Sequence, residues 1–176
     1  QEILSALGYA GVHFQLVRAA TAAQLGEALA AAPAGVAPPQ AATFHLAQEK
    51  RNALDMALDH LFRQATLKPL HVPLPPASPF GAIIVDKARC TLCMSCVGAC
   101  PSSALMDSDA APQLRFVEKN CVQCGLCANT CPEEAITLAP RMSFADTWNK
   151  VVLLNETEPF CCIRCSKPFG TLAMIQ

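Results

Sequence analysis

Two runs of cysteine carry the chemistry that this chain could perform. In "CTLCMSCVGACP", Cys90, Cys93, Cys96 and Cys100 are followed by Pro101; Cys121, Cys124, Cys127 and Cys131 are followed in turn by Pro132. Each member of the second run stands 31 residues after its counterpart, and Ala104 and Ala135 continue the register. Thiolates are soft metal ligands. A C-x-x-C-x-x-C loop can wrap three corners of a metal centre while its backbone N–H groups point inward. The fourth cysteine lies about one helical turn past the third, and proline then ends that turn.

Zinc takes four ligands per ion from paired knuckles, whereas an iron–sulfur cubane needs a thiolate at each of four corners. Two complete three-plus-one runs in register therefore point to two [4Fe-4S] clusters rather than to zinc or to structural cysteines. At these residues the chain resembles the bacterial two-[4Fe-4S] ferredoxin family, from about Phe80 to Pro140, with all eight cysteines and both prolines in place. In that family the fourth cysteine of each run ligates the other cluster. The resemblance thus implies Cys90, Cys93, Cys96 and Cys131 for cluster I, and Cys121, Cys124, Cys127 and Cys100 for cluster II. Such crossing would staple the halves together and leave the metal-free protein poorly folded there. It also implies the family's activity, the passage of single electrons at low potential between redox partners. Gly125 matches the small residue usual at its place; Met94 departs from it, a change to the packing around cluster I that removes no ligand. No ligand is replaced by Asp, so nothing points to a three-iron cluster.

An apolar, β-prone run precedes each cysteine loop ("AIIV", "LRFV") and another follows it ("ALM", "AITL"). Each repeat reads as strand, cysteine loop, short helical turn, strand. The expected fold class is α+β: a pseudo-twofold bacterial ferredoxin-like 2[4Fe-4S] module preceded by a small helical α/β segment. Val97, Leu105, Leu126, Ile136 and Leu138 are candidates to keep water off the clusters, or plain core. Lys87, Arg89, Arg115 and Lys119 could ease the cost of added negative charge, or be solvated surface.

Upstream, residues 1–32 read as helix, strand, helix. "EILSALGYA" has an apolar stripe, "VHFQLV" is a short β-prone run, and "TAAQLGEALAAA" opens with Thr21 three residues before Gln24, the spacing of a capping box. Gly8 and Gly11 fit turns, not a dinucleotide fingerprint. After a loop, "APAGVAPP", the stretch "TFHLAQEKRNALDMALDHLFRQA" places Leu54, Leu58, Leu61, Phe62 and Ala65 at helical intervals, an amphipathic helix of about six turns. His45 and His60, fifteen residues apart, belong to different turns and read as surface or core-edge residues. "KPLHVPLPPASPF" carries five prolines and reads as a semi-rigid linker. The expected organisation is a helical α/β segment for docking or scaffolding at 1–66, the linker at 67–79, the dicluster module at 80–140 and a C-terminal extension at 141–176.

That extension holds the other three of the chain's eleven cysteines. Cys162 and Cys165 form a C-x-x-C knuckle before Lys-Pro-Phe-Gly, which looks like half of a zinc-ribbon or rubredoxin-like site. Cys161 reads as a bystander. The second pair of ligands is missing, so in this chain Cys162 and Cys165 read as free thiols; the alternative is that the chain, which starts at Gln1, is a piece of a longer protein that would supply zinc's remaining ligands.

A formal charge of −1 supplies no basic field for nucleic acid. No run of about 20 apolar residues could span a bilayer. Cysteines grouped for metal indicate a reducing, cytoplasmic setting. No nucleophile–base pair or flavin fingerprint is present, so an electron carrier without its own catalytic site is expected, working with redox partner proteins or other domains of the same protein. The alternative from another class is an iron–sulfur sensor or scaffold. The whole sequence also resembles the multidomain 4Fe-4S dicluster proteins of proteobacteria, sometimes found beside formate dehydrogenase components. Its N-terminal piece is similar, in fold only, to the small α/β domain of hydrogenase delta subunits.

Overall fold

The structure is a computed structural model that describes residues 1–33, 35–43 and 49–175. The chain divides into two compact units, Gln1–Val72 and Pro73–Gln176.

The first unit is helical. It holds helices α1 (Glu2–Ala6), α2 (Ala22–Ala30) and α3 (Lys50–Gln64), and Leu7, Tyr9, Leu58 and Ala65 are buried in it. The Tyr9 hydroxyl donates to the Leu61 carbonyl at 2.8 Å, and the Leu67 N–H donates to the Leu7 carbonyl at 3.3 Å. Thr21 caps α2 as its spacing with Gln24 implies, accepting from the Gln24 N–H at 3.3 Å. The strand expected in "VHFQLV" does not form. A strand needs a neighbour for its N–H and C=O groups, and none pairs with this run among the described residues; Phe14 and Leu16 stand 76% and 74% exposed. Residues 44–48 of the expected six-turn helix, His45 included, lie outside the described residues, and the helix observed starts at Lys50, after an extended Glu49. His60 offers Nε2 to the Gln40 carbonyl at 2.9 Å, an ordinary surface contact.

At the junction of the units lies β1 (His71–Pro73). The second unit then runs β2 (Gly81–Val85), α4 (Ser95–Gly98), β3 (Leu105–Met106), β4 (Gln113–Phe116), a 3-10 turn at Glu118–Asn120, α5 (Leu126–Thr130) and β5 (Ile136–Ser143). The strand pairing exchanges the repeats. β2 of the first repeat pairs antiparallel with β5 of the second, from Gly81↔Pro140 to Val85↔Ile136, while β3 pairs with β4, Leu105↔Phe116 and Met106↔Arg115. Where each leading strand ends, its next N–H reaches across: Asp86 donates to the Ala135 carbonyl and Val117 to the Ala104 carbonyl, both at 2.8 Å. Ala104 and Ala135 are 1% and 3% exposed, so the small side chains that continue the repeat sit where the two halves press together.

Residues after Pro140 belong to the same unit. β6 (Val152–Glu156) adds to β4 with a register shift between Leu114 and Arg115. A hairpin of β7 (Phe160–Cys161) and β8 (Pro168–Gly170) follows, and α6 (Leu172–Ile175) ends the described chain. Thr171, 2% exposed, donates its hydroxyl to the Thr91 carbonyl at 2.8 Å and so ties the hairpin to the first cysteine loop.

Just before the second cysteine loop, Glu118 makes a buried ion pair. Arg141 on β5 donates to its two carboxylate oxygens at 2.8 and 2.7 Å, and Glu118 is only 6% exposed. The same bond raises the Arg141 pKa. Removing one partner strands a buried charge, so Arg141→Ala should destabilise the unit by about 3 kcal/mol. Chemical denaturation of the two proteins measures this directly.

Candidate metal centres

The eight cysteines of the two runs gather around two cavities of nearly equal size, ≈ 340 and ≈ 330 Å³ including their mouths. Cys90, Cys93, Cys96 and Cys131 line the first, with Leu92, Leu114 and Ile136. Cys100, Cys121, Cys124 and Cys127 line the second, with Ile83, Leu105, Phe116 and Leu138. The fourth cysteine of each run therefore faces the cavity of the other run.

Backbone conformation produces this convergence. Residues in the left-handed region recur in the 31-residue register: Leu92 (φ 59°) with Gln123 (φ 54°), Met94 (φ 59°) with Gly125 (φ 79°), and Ser103 (φ 51°) with Glu134 (φ 46°). Each turns the chain back between or just after cysteines, so that successive side chains can face one volume. Glycine adopts this conformation without strain, and Met94 does so at a cost of about 1–2 kcal/mol. That is the physical content of the Met94 departure.

Burial and crowding make the sulfurs reluctant anions. The Cys96 thiol is pushed up to about 12, first by burial and then by the neighbouring Cys90, Cys127, Cys93 and Cys131. Burial also raises Cys121 and Cys127. Hydrogen bonding reverses the sign elsewhere. At Cys100 burial pushes the thiol up, yet the N–H of Leu105, the hydroxyl and N–H of Ser102 and the N–H of Ala104 together bring it below its usual range. At Cys93 burial is likewise outweighed by hydrogen bonds from Ser95 and Thr91. Four crowded sulfurs in an apolar cavity are a poor resting state for thiolates and a good donor set for cationic iron.

All eleven cysteines are free of disulfides. Among the described residues no three His, Cys, Asp or Glu converge on a point that could hold one metal ion; the four cysteines of each cavity surround a volume instead. That arrangement fits a multi-atom cluster and not a single zinc ion. The C-terminal cysteines stay apart. Cys162 and Cys165 sit in the β7–β8 hairpin, where Cys162 N–H donates to the Lys167 carbonyl at 2.9 Å and Ser166 N–H to the Cys162 carbonyl at 2.8 Å. N–H groups of Arg164 and Cys165 lower the Cys162 pKa, as in a knuckle, but no second pair of ligands joins it among the described residues.

The apolar candidates divide. Leu105 and Ile136 are buried cavity walls, Leu138 lines the second cavity and Val97 packs against the core, whereas Leu126 is 45% exposed and lines neither cavity. None of Lys87, Arg89, Arg115 and Lys119 lines either cavity. Arg89 pairs instead with Glu134 at 3.6 Å, and Arg115 donates to the Asp107 carbonyl. Four contributors escaped the motif: Thr171, Glu118, its partner Arg141, and Gln123. Only Gln123 had a usable signal, as a polar residue in register with the apolar Leu92.

Interleaved strands around two four-cysteine cavities define a mixed helix-and-strand domain of the ferredoxin type. Residues 89–136 match the family model described as a 4Fe-4S dicluster domain, and this stretch is similar to 4Fe-4S dicluster ferredoxins. Among curated relatives, the chain is similar to pyruvate synthase subunit PorD of Thermotoga maritima, 38% identical over 61 residues, which are 35% of this chain and 61% of that protein. An uncharacterized ferredoxin of Methanocaldococcus jannaschii is 39% identical over 80 residues, 44% of this chain and 43% of that one. The ferredoxin-type protein NapH of Haemophilus influenzae is 29% identical over 62 residues, 33% of this chain and 22% of that protein. The chain spans less than two thirds of the length of these relatives. No helix among the described residues is long and apolar enough to cross a membrane.

Gly125 and Gly98 separate backbone strain from crowding. A Cβ at Gly125 would meet only Leu138 Cδ1, at 3.7 Å, and at Gly98 nothing within 4 Å. Because Gly125 alone is left-handed, Gly125→Ala should destabilise by about 1 kcal/mol and Gly98→Ala, inside α4, should not destabilise at all. Paired denaturation curves provide the check.

Proposed function

We propose that this chain passes single electrons through two [4Fe-4S] clusters, as a module or subunit of a larger redox protein or complex. Cys90, Cys93, Cys96 and Cys131 would hold cluster I, and Cys121, Cys124, Cys127 and Cys100 cluster II. The observation that carries the reading is that each crossed set of four cysteines lines one cavity. When bound, such clusters supply reversible one-electron chemistry. The chain's own part is to ligate, to exclude water with Leu105, Leu114, Phe116 and Ile136, and to direct hydrogen bonds at the sulfurs.

The two halves are related in this reading by a pseudo-twofold axis, supported by the reciprocal Asp86–Ala135 and Val117–Ala104 bonds and by the paired left-handed residues. The protein is a carrier rather than a catalyst, and its partners are redox proteins or further domains. A relative named as a subunit of pyruvate synthase supports a setting in a larger assembly. Residues 1–66 would dock the module and 67–79 would space it. Cys162 and Cys165 remain a half-site, and zinc there would need a second pair of ligands. A reducing, cytoplasmic setting suits the exposed thiols.

The purified anaerobic chain should contain about eight irons with matching sulfide, and its broad visible absorbance should bleach reversibly with a low-potential reductant. Clusters that resist reversible reduction throughout the window of roughly −700 to +450 mV would sink the electron-transfer reading. Cys100→Ala tests the crossing. It should abolish the centre built by Cys121, Cys124 and Cys127, and loss confined to the Cys90 centre, read by iron content and Mössbauer or electron paramagnetic resonance spectra, would contradict the assignment.

A further inference from the structure

The repeat invites a comparison of like with like. Leu92 and Gln123 hold the same place in their runs, between the first and second cysteines, and the same left-handed backbone. Leu92 presents an apolar wall to the first cavity. Gln123 lines the second, where its Nε2 donates to the Ala82 carbonyl at 2.9 Å and to Cys121 Sγ at 3.3 Å. A carbonyl can only accept, so Ala82 fixes which end of the amide faces the sulfur. Gly81 makes the room: a Cβ there would lie 2.6 Å from Gln123 Cδ and 2.8 Å from Nε2. Gln123 Oε1 has no hydrogen-bond partner among the described residues, so the side chain is held by its amino group alone.

Other register pairs bear on the same balance. Glu133 lines the first cavity at the place where the second has Ser102, whose hydroxyl lies 3.7 Å from Cys100 Sγ. Cys124 is exposed while its counterpart Cys93 is partly buried. Ser95 works the other way, with Oγ 3.4 Å from Cys93 Sγ where the second repeat has Leu126. Adding an electron adds negative charge. Hydrogen bonds to ligand sulfurs and contact with water favour that charge, and a nearby carboxylate disfavours it. Among the described residues, Glu133 is the one acidic side chain in the lining of either cavity, and acidic oxygens there oppose added negative charge where the single hydroxyl of Ser95 favours it.

We propose that Gln123 is a positioning residue that makes the two sites inequivalent, so that the Cys121–Cys124–Cys127–Cys100 site holds an electron more tightly than the Cys90–Cys93–Cys96–Cys131 site. Electrons would then run from the first site to the second. The step moves one electron, with oxidation at the first site matched by reduction at the second and no bond or proton exchanged. The proposal rests on the electron-transfer reading above.

The test is a potentiometric titration of the whole chain, loaded with iron and sulfide and followed by electron paramagnetic resonance. Wild-type protein should show two separate one-electron waves. Gln123→Leu, which copies Leu92, should shift the higher wave downward and leave the lower one in place; Glu133→Gln should shift the lower wave upward. Iron and sulfide counts equal to wild type show that each variant is assembled. Coincident wild-type waves, or a Gln123→Leu that moves the lower wave or neither, overturn the proposal while reversible reduction keeps the electron-transfer reading intact. Clusters that cannot be reduced overturn that reading instead. Should Gln123→Leu fail to assemble, Glu133→Gln decides alone: a shift of the lower wave supports the inequivalence, and a shift of the higher wave or of neither refutes it.

Discussion

Two backbone hydrogen bonds hold the second unit in the arrangement on which its chemistry depends. Asp86 N–H to the Ala135 carbonyl and Val117 N–H to the Ala104 carbonyl, each 2.8 Å, tie the end of each leading strand to the far end of the other repeat. They can form only if the strands exchange partners, β2 with β5 and β3 with β4. That exchange brings Cys131 to the cavity of the first run and Cys100 to that of the second. Neither repeat could close its own cavity with these pairings, and a side chain larger than alanine at position 104 or 135 would push the halves apart where they are 1% and 3% exposed.

Gathering eight sulfurs around two cavities has an electrostatic consequence. Burial and mutual repulsion hold Cys96, Cys121 and Cys127 above the ordinary thiol range, while directed N–H and O–H groups hold Cys93 and Cys100 below it. The scaffold therefore does not treat the sulfurs alike. Cysteine positions repeat faithfully through the chain, but the groups that surround them do not, and it is in those surroundings that two copies of one motif differ.

The later residues of the unit contribute more than their motif content indicates. β6 extends the β3–β4 sheet, Thr171 ties the C-terminal hairpin to Thr91 in the first cysteine loop, and Arg141 closes on Glu118 just before the second loop. These contacts span 80 residues in the case of Thr171 and Thr91 and 23 in that of Arg141 and Glu118. Side-chain partners at such separations leave no periodic trace. The same holds in reverse at residues 12–17, where a β-prone composition met no neighbouring strand and the backbone stayed irregular. β-propensity describes fitness for a sheet that tertiary structure must first provide.

What could be read from the residues alone was whatever a covalent period encodes. The 31-residue register, the cysteine spacing and the prolines state the ligand type, the number of centres and the strand–loop–turn–strand order, because ligand geometry tolerates few spacings. The cap at Thr21 and the helical stripe around Leu58 were legible for a similar reason, being interactions between residues three or four apart. Tertiary structure decided the rest. Which cavity wall is dry, that Leu126 faces solvent while Leu105 does not, and that Gln123 reaches a sulfur through the space Gly81 leaves open all depend on which strand lies beside which. Proximity across the fold is a property of the packed chain, and no local pattern carries it.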